Sequence, residues 1–342
     1  MIKSGRNSSH ELLRVFAMLI IVWYHILSYY LYIWPHDTVN DCLIEAIIPS
    51  LHIGVILFIL ISGYYGIRPS AKGFFRLIIM TIVYFLPLQF WDLAMQGRIT
   101  HPKAIIQTIM FLTNTPYWFV RTYLYLFMVS PLINSFIEHS SNRQLLYALL
   151  VMGIISVYFG TTNGDPTLYD GKNLINFVFL YLLGHTLKTQ LQDLLKIKTG
   201  WLLLLYIILN ASIIIVLCLY PRNSVIGSKA WLLSFPYCSP ILIINAVIVF
   251  CIFTRLSLNS KLINGLAASM FAVYLIHCQP LLQRLYQGLI CSRLVHTSLS
   301  GVLLVSFTFS VLILCVSVGI DKLFTPLWRL SNRFANNMQK AI

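Results

Sequence analysis

Charged residues are scarce in this chain of 342 residues: Asp, Glu, Lys and Arg together make up only 10% of it. Soluble domains typically carry roughly 25% charged residues, whereas 58% of the residues here are apolar. So little polar material cannot cover a globule of this size. The composition therefore excludes a soluble enzyme, a disordered tail, a collagen-like rod and a disulfide scaffold. It predicts a polytopic membrane protein.

Acidic residues are the rarest charged type, with ten of them against 24 Lys and Arg, for a net charge of +14. The basic residues lie in short clusters between apolar stretches and not on one continuous basic face, so nucleic acid is not an expected partner. The seven cysteines contain no C-x-x-C pair. The sequence has no Gly-rich phosphate loop, no G-x-S-x-G turn and no metal-ligand spacing, so no metal is expected.

Long apolar runs are what the chain does contain. A membrane-spanning helix needs about 20 mostly apolar residues, and that length predicts an all-α bundle of about ten spans in a single integral domain covering residues 1–342. The predicted spans are 12–33, 47–66, 76–93, 117–137, 145–161, 173–190, 200–220, 237–254, 266–290 and 298–320. The apolar stretch 104–114 is too short to cross and predicts an interfacial or re-entrant helix.

The distribution of Lys and Arg predicts the orientation of the bundle. With a cytoplasmic N-terminus, sixteen of these residues fall on the inner side and six on the outer side. Cytoplasmic loops carry the excess of positive charge in membrane proteins. Both termini are therefore predicted to be cytoplasmic.

The first span supplies the most informative ionisable pair. Arg14 and His25 are eleven residues apart, which is three helical turns plus about 20°, so both lie on one face with His25 about 16 Å deeper. Glu11, one turn before Arg14, is expected to hold the guanidinium. The structural alternative is that Arg14 anchors the helix at the membrane interface, while His25 is a core residue whose ring nitrogens are hydrogen-bonded within the protein.

A desolvated imidazole is uncharged at physiological pH and can accept a proton. Beside a bound hydroxyl it is suited to general-base catalysis of acyl transfer. An arginine at the cytoplasmic mouth is suited to the phosphates of an anionic donor. The pair therefore suggests that a group passes from a cytosolic carrier to an acceptor in the membrane.

Four stretches of this sequence resemble membrane acyltransferase family 3. The first span holds an Arg-x10-His pattern in Arg14 and His25, and the second apolar run ends in Ser62-Gly63-Tyr64. The other two stretches are Tyr117-Trp118 through Ser130-Pro131, and Tyr274 through His277. They occur in the family's order.

The resemblance implies an acyl-CoA-dependent O-acetyltransferase in the bacterial inner membrane, with His25 and Arg14 as its essential pair. Its co-substrate would be acetyl-CoA. Its acceptor would be a cell-envelope polysaccharide or a lipid-linked sugar precursor, met among membrane lipids. Because the tail after residue 320 is short, we expect membrane residues or a separate envelope-biosynthesis partner protein to complete the transfer.

Several other residues are candidate binding groups, each with a structural alternative. Arg68, Lys72 and Arg76 would clamp CoA phosphates, or they are ordinary positive-inside charge. Arg121 beside Trp118 would hold the pyrophosphate or sugar of the acceptor, or it anchors the span at the interface.

Ser62 and Tyr64 flank Gly63, which would let the backbone approach a ligand or allow tight helix packing. His277 precedes Pro280, which is expected to break its helix next to protein or a wet cavity, so His277 is a candidate substrate contact.

A transporter or flippase of a glycolipid or polysaccharide precursor is the competing function. Proton-coupled transporters commonly carry carboxylates inside the membrane. Nearly all ten acidic residues here fall in loops or at span ends, and no inverted repeat is visible. Both observations favour the enzyme.

Overall fold

The structure is a computed structural model that describes residues 7–33, 39–112, 117–162, 167–220, 223–291, 294 and 297–329. These ranges are helical and contain no strand. The predicted all-α membrane bundle is thereby confirmed. The predicted cytoplasmic location of both termini concerns ends that lie outside the described residues, and it stays a prediction.

The first half of the chain forms helices joined by short connections. They are α1 (Ser8–Ile33), α2 (Val39–Leu51), α3 (Gly54–Tyr65), α4 (Ala71–Met95), α5 (Pro102–Ile109), α6 (Trp118–His139) and α7 (Asn142–Gly153), which continues as a π-helical stretch over Ile154–Phe159.

The second half continues the bundle. Its helices are α8 (Leu174–Thr189), α9 (Thr199–Leu219), α10 (Val225–Ser234), α11 (Pro240–Thr254), α12 (Lys261–Ala267), α13 (Met270–His277), α14 (Pro280–Tyr286) and α15 (Leu299–Leu323). The short helix α10 lies between two predicted spans and was not predicted.

Within the described part of the chain, seven helices are long and apolar enough to cross a membrane, and a bent pair makes an eighth if it is one span. The shorter apolar helices α8 and α11 coincide with two further predicted spans. Every predicted span thus has a helical counterpart, although the number of crossings stays a prediction. The short helix predicted near 104–114 is present as α5.

Two predicted spans differ in shape from a single straight helix. The span predicted at 47–66 starts earlier, at Leu43, and turns at His52 and Ile53 between α2 and α3. The span predicted at 266–290 is bent by 81° between His277 and Pro280. The second break has a local cause, because Pro280 is the first residue of α14 and Gln279 caps that helix by accepting from the backbone N–H groups of Leu281 and Leu282.

Helices α3 and α8 pack against each other at unusually short range. A Cβ on Gly63 would lie 2.0 Å from the carbonyl oxygen of Tyr181, and a Cβ on Gly184 would lie 2.3 Å from that of Leu60. Only glycine fits at either contact. The structure therefore supports helix packing as the role of Gly63, and not the approach of a ligand.

Candidate active site

His25 and His277 are hydrogen-bonded to each other in the interior of the bundle. The Nδ1 atom of His25 lies 3.0 Å from Nε2 of His277. The Nδ1 atom of His277 in turn lies 2.8 Å from the backbone carbonyl of Val273. The helix break at Pro280 leaves His277 at the last position of α13. Two histidines that are 252 positions apart are thus joined in one chain of hydrogen bonds.

The direction of these hydrogen bonds follows from the carbonyl at the end. A carbonyl oxygen only accepts, so Nδ1 of His277 carries a proton and donates a hydrogen bond to the carbonyl of Val273. Nε2 of a neutral His277 is then an acceptor, and Nδ1–H of His25 must donate to it. The Nε2 atom of His25 is left with a free lone pair. We call His25, His277 and the Val273 carbonyl the histidine relay.

The His25 ring is partly exposed although three other rings pack against it. Its centroid lies 5.0 Å from that of Tyr24, 6.1 Å from the parallel ring of Tyr29 and 5.2 Å from that of His277. The Sγ atom of Cys278 lies 3.3 Å from Nε2 of His277. Aromatic rings therefore surround His25, and the Cys278 thiol lies beside the acceptor nitrogen of His277.

Arg14, near the start of α1, lines a cavity of about 260 Å³. Its guanidinium is held by Glu11, with Nη1 2.7 Å from Oε1, as the sequence predicted. The Arg14 side chain keeps 32% exposure and so can be reached from solvent. Ser62 lines the same cavity, and its Oγ lies 3.3 Å from the hydroxyl of Tyr123.

Tyr274 separates this cavity from the histidine relay. It lines the cavity, and its ring centroid lies 5.8 Å from that of His277. His25 is not part of the cavity wall. Arg14 and His25 therefore belong to neighbouring regions of the bundle that meet at Tyr274.

The remaining basic candidates do not line the cavity. Arg68 is exposed in the segment before α4, while Lys72 and Arg76 lie on the first turns of α4, with Arg76 exposed. Leu77, the neighbour of Arg76, is a wall residue. Tyr64 is also outside the wall, and its ring packs 5.1 Å from that of His10.

Trp118, next to the cavity-wall residue Phe119, belongs to a second aromatic cluster. Its ring centroid lies 5.1 Å from that of Tyr237, and Lys172 lies over both rings, with Nζ 5.7 Å and 6.0 Å from their centroids. The Lys172 side chain is 41% exposed and forms an ion pair with Asp170. We call Trp118, Tyr237, Lys172 and Asp170 the aromatic–lysine cluster. Arg121, one turn further along α6, is partly exposed.

The aromatic–lysine cluster is fixed by the loop before α8. Asp170 adopts a positive φ of 69°, an uncommon conformation for a residue other than glycine, and its carbonyl accepts from the N–H of Tyr237 at 3.0 Å. The buried amide of Asn176 donates to the carbonyls of Gly171 and Tyr237.

Tyr24 connects this region to the relay, since its ring lies 5.0 Å from that of His25 and 4.6 Å from that of His52.

Sequence reasoning missed several of these groups. Cys278 carried a usable signal, because it follows a candidate histidine directly. Tyr237 carried no such signal, because an aromatic residue at a span end is interpreted as an interface anchor. Lys172 carried none either, because it is one of several basic residues in the predicted outer segments. The ring of His52 is held by its hydrogen bond to the Phe235 carbonyl at 2.6 Å, in keeping with a structural role.

The chain matches the family model described as an acyltransferase domain over residues 7–320. Comparisons with curated proteins and with solved structures return no match. Because the match covers nearly the whole chain, the protein belongs to this acyltransferase family. It is a multi-pass membrane protein, and the resemblance seen in the four sequence stretches is confirmed.

Proposed function

We propose that this protein is an O-acetyltransferase of the bacterial inner membrane. It would move acetyl from cytosolic acetyl-CoA to a hydroxyl of a cell-envelope polysaccharide or of its lipid-linked precursor. The family supports acyl transfer in general. The observation that carries the proposal is the histidine relay, because it leaves one unprotonated nitrogen on His25 at the centre of the bundle.

In this mechanism Nε2 of His25 takes the proton of the acceptor hydroxyl as the oxygen attacks the thioester carbonyl. The resulting imidazolium keeps its Nδ1–H on His277 and is stabilised by that hydrogen bond. When the tetrahedral intermediate collapses, the C–S bond breaks and the proton passes from His25 to the departing CoA thiolate. General-base catalysis of this kind contributes about 10²–10⁴-fold in rate.

The donor would enter through the cavity lined by Arg14. Pockets for drug-sized ligands hold about 300–1,000 Å³, so a cavity of about 260 Å³ suits the acyl-bearing arm of the donor and not a whole nucleotide. Arg14, with Arg68, Lys72 and Arg76 outside the cavity, would then bind the phosphates. Tyr274 would mark the place where the thioester meets the relay.

The acceptor would approach at the aromatic–lysine cluster. Aromatic rings pack against the apolar faces of sugars, and Lys172 supplies a cation for an anionic or hydroxyl-rich group. Tyr237 is linked to His25 through His52 and Tyr24, and Trp118 is linked to His277 through Phe119 and Tyr274. Donor and acceptor would therefore reach the base from two neighbouring regions, since Phe119 also lines the donor cavity.

The decisive test is a transfer assay on membranes that contain the protein. Radiolabelled acetyl-CoA and extracted envelope glycans are supplied, and His25→Ala is compared with the unaltered chain. We expect acetylation of a glycan to fall about 10²–10⁴-fold in the variant. Unchanged label transfer would refute the mechanism, while glycolipid flux without any label transfer would favour a flippase instead.

A further inference from the structure

The histidine relay also has the side chains needed to bind a metal ion, because three metal-ligating groups lie close together there. The ligand atoms of His25, His277 and Cys278 all lie within 4.8 Å of one another. His277 and Cys278 are buried and His25 is partly exposed. Two of these residues are neighbours at the helix break, and the third comes from α1, which is why spacing along the chain gave no sign of the group.

The distances suit a thiophilic cation of the zinc class. Zinc binds imidazole nitrogen at about 2.0–2.1 Å and thiolate at about 2.3 Å, so two ligand atoms of a tetrahedral site are about 3.3–3.6 Å apart. Here the two nitrogens are 3.0 Å apart, and the Cys278 sulfur is 3.3 Å from the His277 nitrogen. Small movements of the rings would therefore admit an ion.

The surroundings of His277 also suit a metal ligand. Metal-binding histidines usually donate their second N–H to a carbonyl or carboxylate, which fixes the ring and presents the other nitrogen. His277 does this through its Nδ1, 2.8 Å from the Val273 carbonyl. Two imidazoles and a thiolate favour zinc-like or softer ions over magnesium or calcium.

We propose that His25, His277 and Cys278 form an inhibitory site for a zinc-class cation. The inhibitory part of this inference rests on the proposed function, whereas the binding part does not. When the cation binds, the Cys278 thiol releases its proton to solvent and the S–metal bond forms. Nδ1 of His25 binds the ion with its lone pair, so the single ring proton must reside on Nε2. A neutral His25 in that form has no free nitrogen with which to accept the proton of a substrate.

The binding part is tested with Co²⁺ as an optical probe of the reduced, purified full chain. A thiolate-to-cobalt charge-transfer band in the near ultraviolet is expected at one ion per chain. The band should disappear in Cys278→Ala and persist in Cys251→Ala, which removes a thiol that is also buried but lies on α11. Absence of the band in the unaltered chain, or its persistence in Cys278→Ala, would overturn the site.

The inhibitory part is tested in the transfer assay. Zinc is expected to suppress acetyl transfer, a chelator should restore it, and Cys278→Ala should need about tenfold more zinc or higher for half-inhibition of its own zinc-free rate. A cobalt band that depends on Cys278, without inhibition by zinc, would support the metal site. It would refute the argument that metal binding to Nδ1 of His25 blocks proton transfer at Nε2. If no transfer is detected at all, the proposed function fails, and the optical experiment still decides the site.

Discussion

Removing the acceptor of the histidine relay should slow the chemical step without weakening substrate binding. In His277→Leu, the Nδ1–H of His25 loses the nitrogen that lies 3.0 Å away. In the proposed mechanism His25 becomes an imidazolium during transfer, and a hydrogen bond to a charged group contributes about 1.5–3 kcal/mol. Each 1.36 kcal/mol is tenfold in rate, so kcat should fall about 10- to 150-fold. The KM for acetyl-CoA should stay nearly constant, because His277 does not line the donor cavity.

The assay is steady-state transfer of acetyl to the glycan, with kcat and KM measured separately. His277→Gln is the informative partner variant, since its amide oxygen can still accept a hydrogen bond and should restore part of the rate. His185→Leu serves as the control, because His185 is a partly buried histidine on α8 outside both the relay and the cavity. A normal kcat in His277→Leu, or a loss confined to KM, would show that His277 has no part in supporting the base.

Three further predictions address the donor, the acceptor and the packing. Arg14→Lys should lower kcat/KM for acetyl-CoA about 10- to 150-fold with little change in the KM of the acceptor, because lysine cannot reproduce a bidentate phosphate contact; equal loss for both substrates would contradict this. Lys172→Met should raise the KM of the acceptor about 2- to 5-fold and leave that of the donor unchanged, as measured in the same assay. Gly63→Ala should destabilise the protein by about 1–3 kcal/mol through its clash with the Tyr181 carbonyl. Thermal unfolding in detergent checks this, and Gly319→Ala, which meets nothing within 4 Å in the interior of α15, should not lower stability, because alanine is favoured over glycine inside a helix.

The long spans could be predicted because their signal is local. An apolar run of the right length forms a helix in lipid, where every backbone polar group must be satisfied within the segment. The break between α13 and α14 was also predictable, because Pro280 has no backbone N–H to continue the helical hydrogen bonds. The turn at His52 between α2 and α3 was not predicted, although Pro49 lies three residues before it and Gly54 begins the next helix.

The site was predictable only in part, because its contacts join distant positions. Helical periodicity was sufficient to place Arg14 and His25 on one face of α1 and to pair Arg14 with Glu11. No pattern within α1 could show that His25 meets His277, since that contact depends on how α13 packs in the bundle. Lys172 escaped notice for a similar reason: its position over Trp118 is set by a loop that is held by backbone hydrogen bonds.

The relay shows how a base can be oriented in a membrane interior without a buried charge. A carboxylate in the place of His277 would stabilise the imidazolium of His25 more strongly, but an ionised carboxylate in a low-dielectric environment costs several kcal/mol before any partner forms. A neutral imidazole that is itself held by the Val273 carbonyl fixes the tautomer at a much lower cost. The same neutrality allows a cation to compete: the lone pair of His277 that accepts the hydrogen bond from His25 can instead bind a metal ion, and Cys278 lies beside it. The proposed orientation of the base and the proposed metal sensitivity would then be two consequences of one arrangement of atoms.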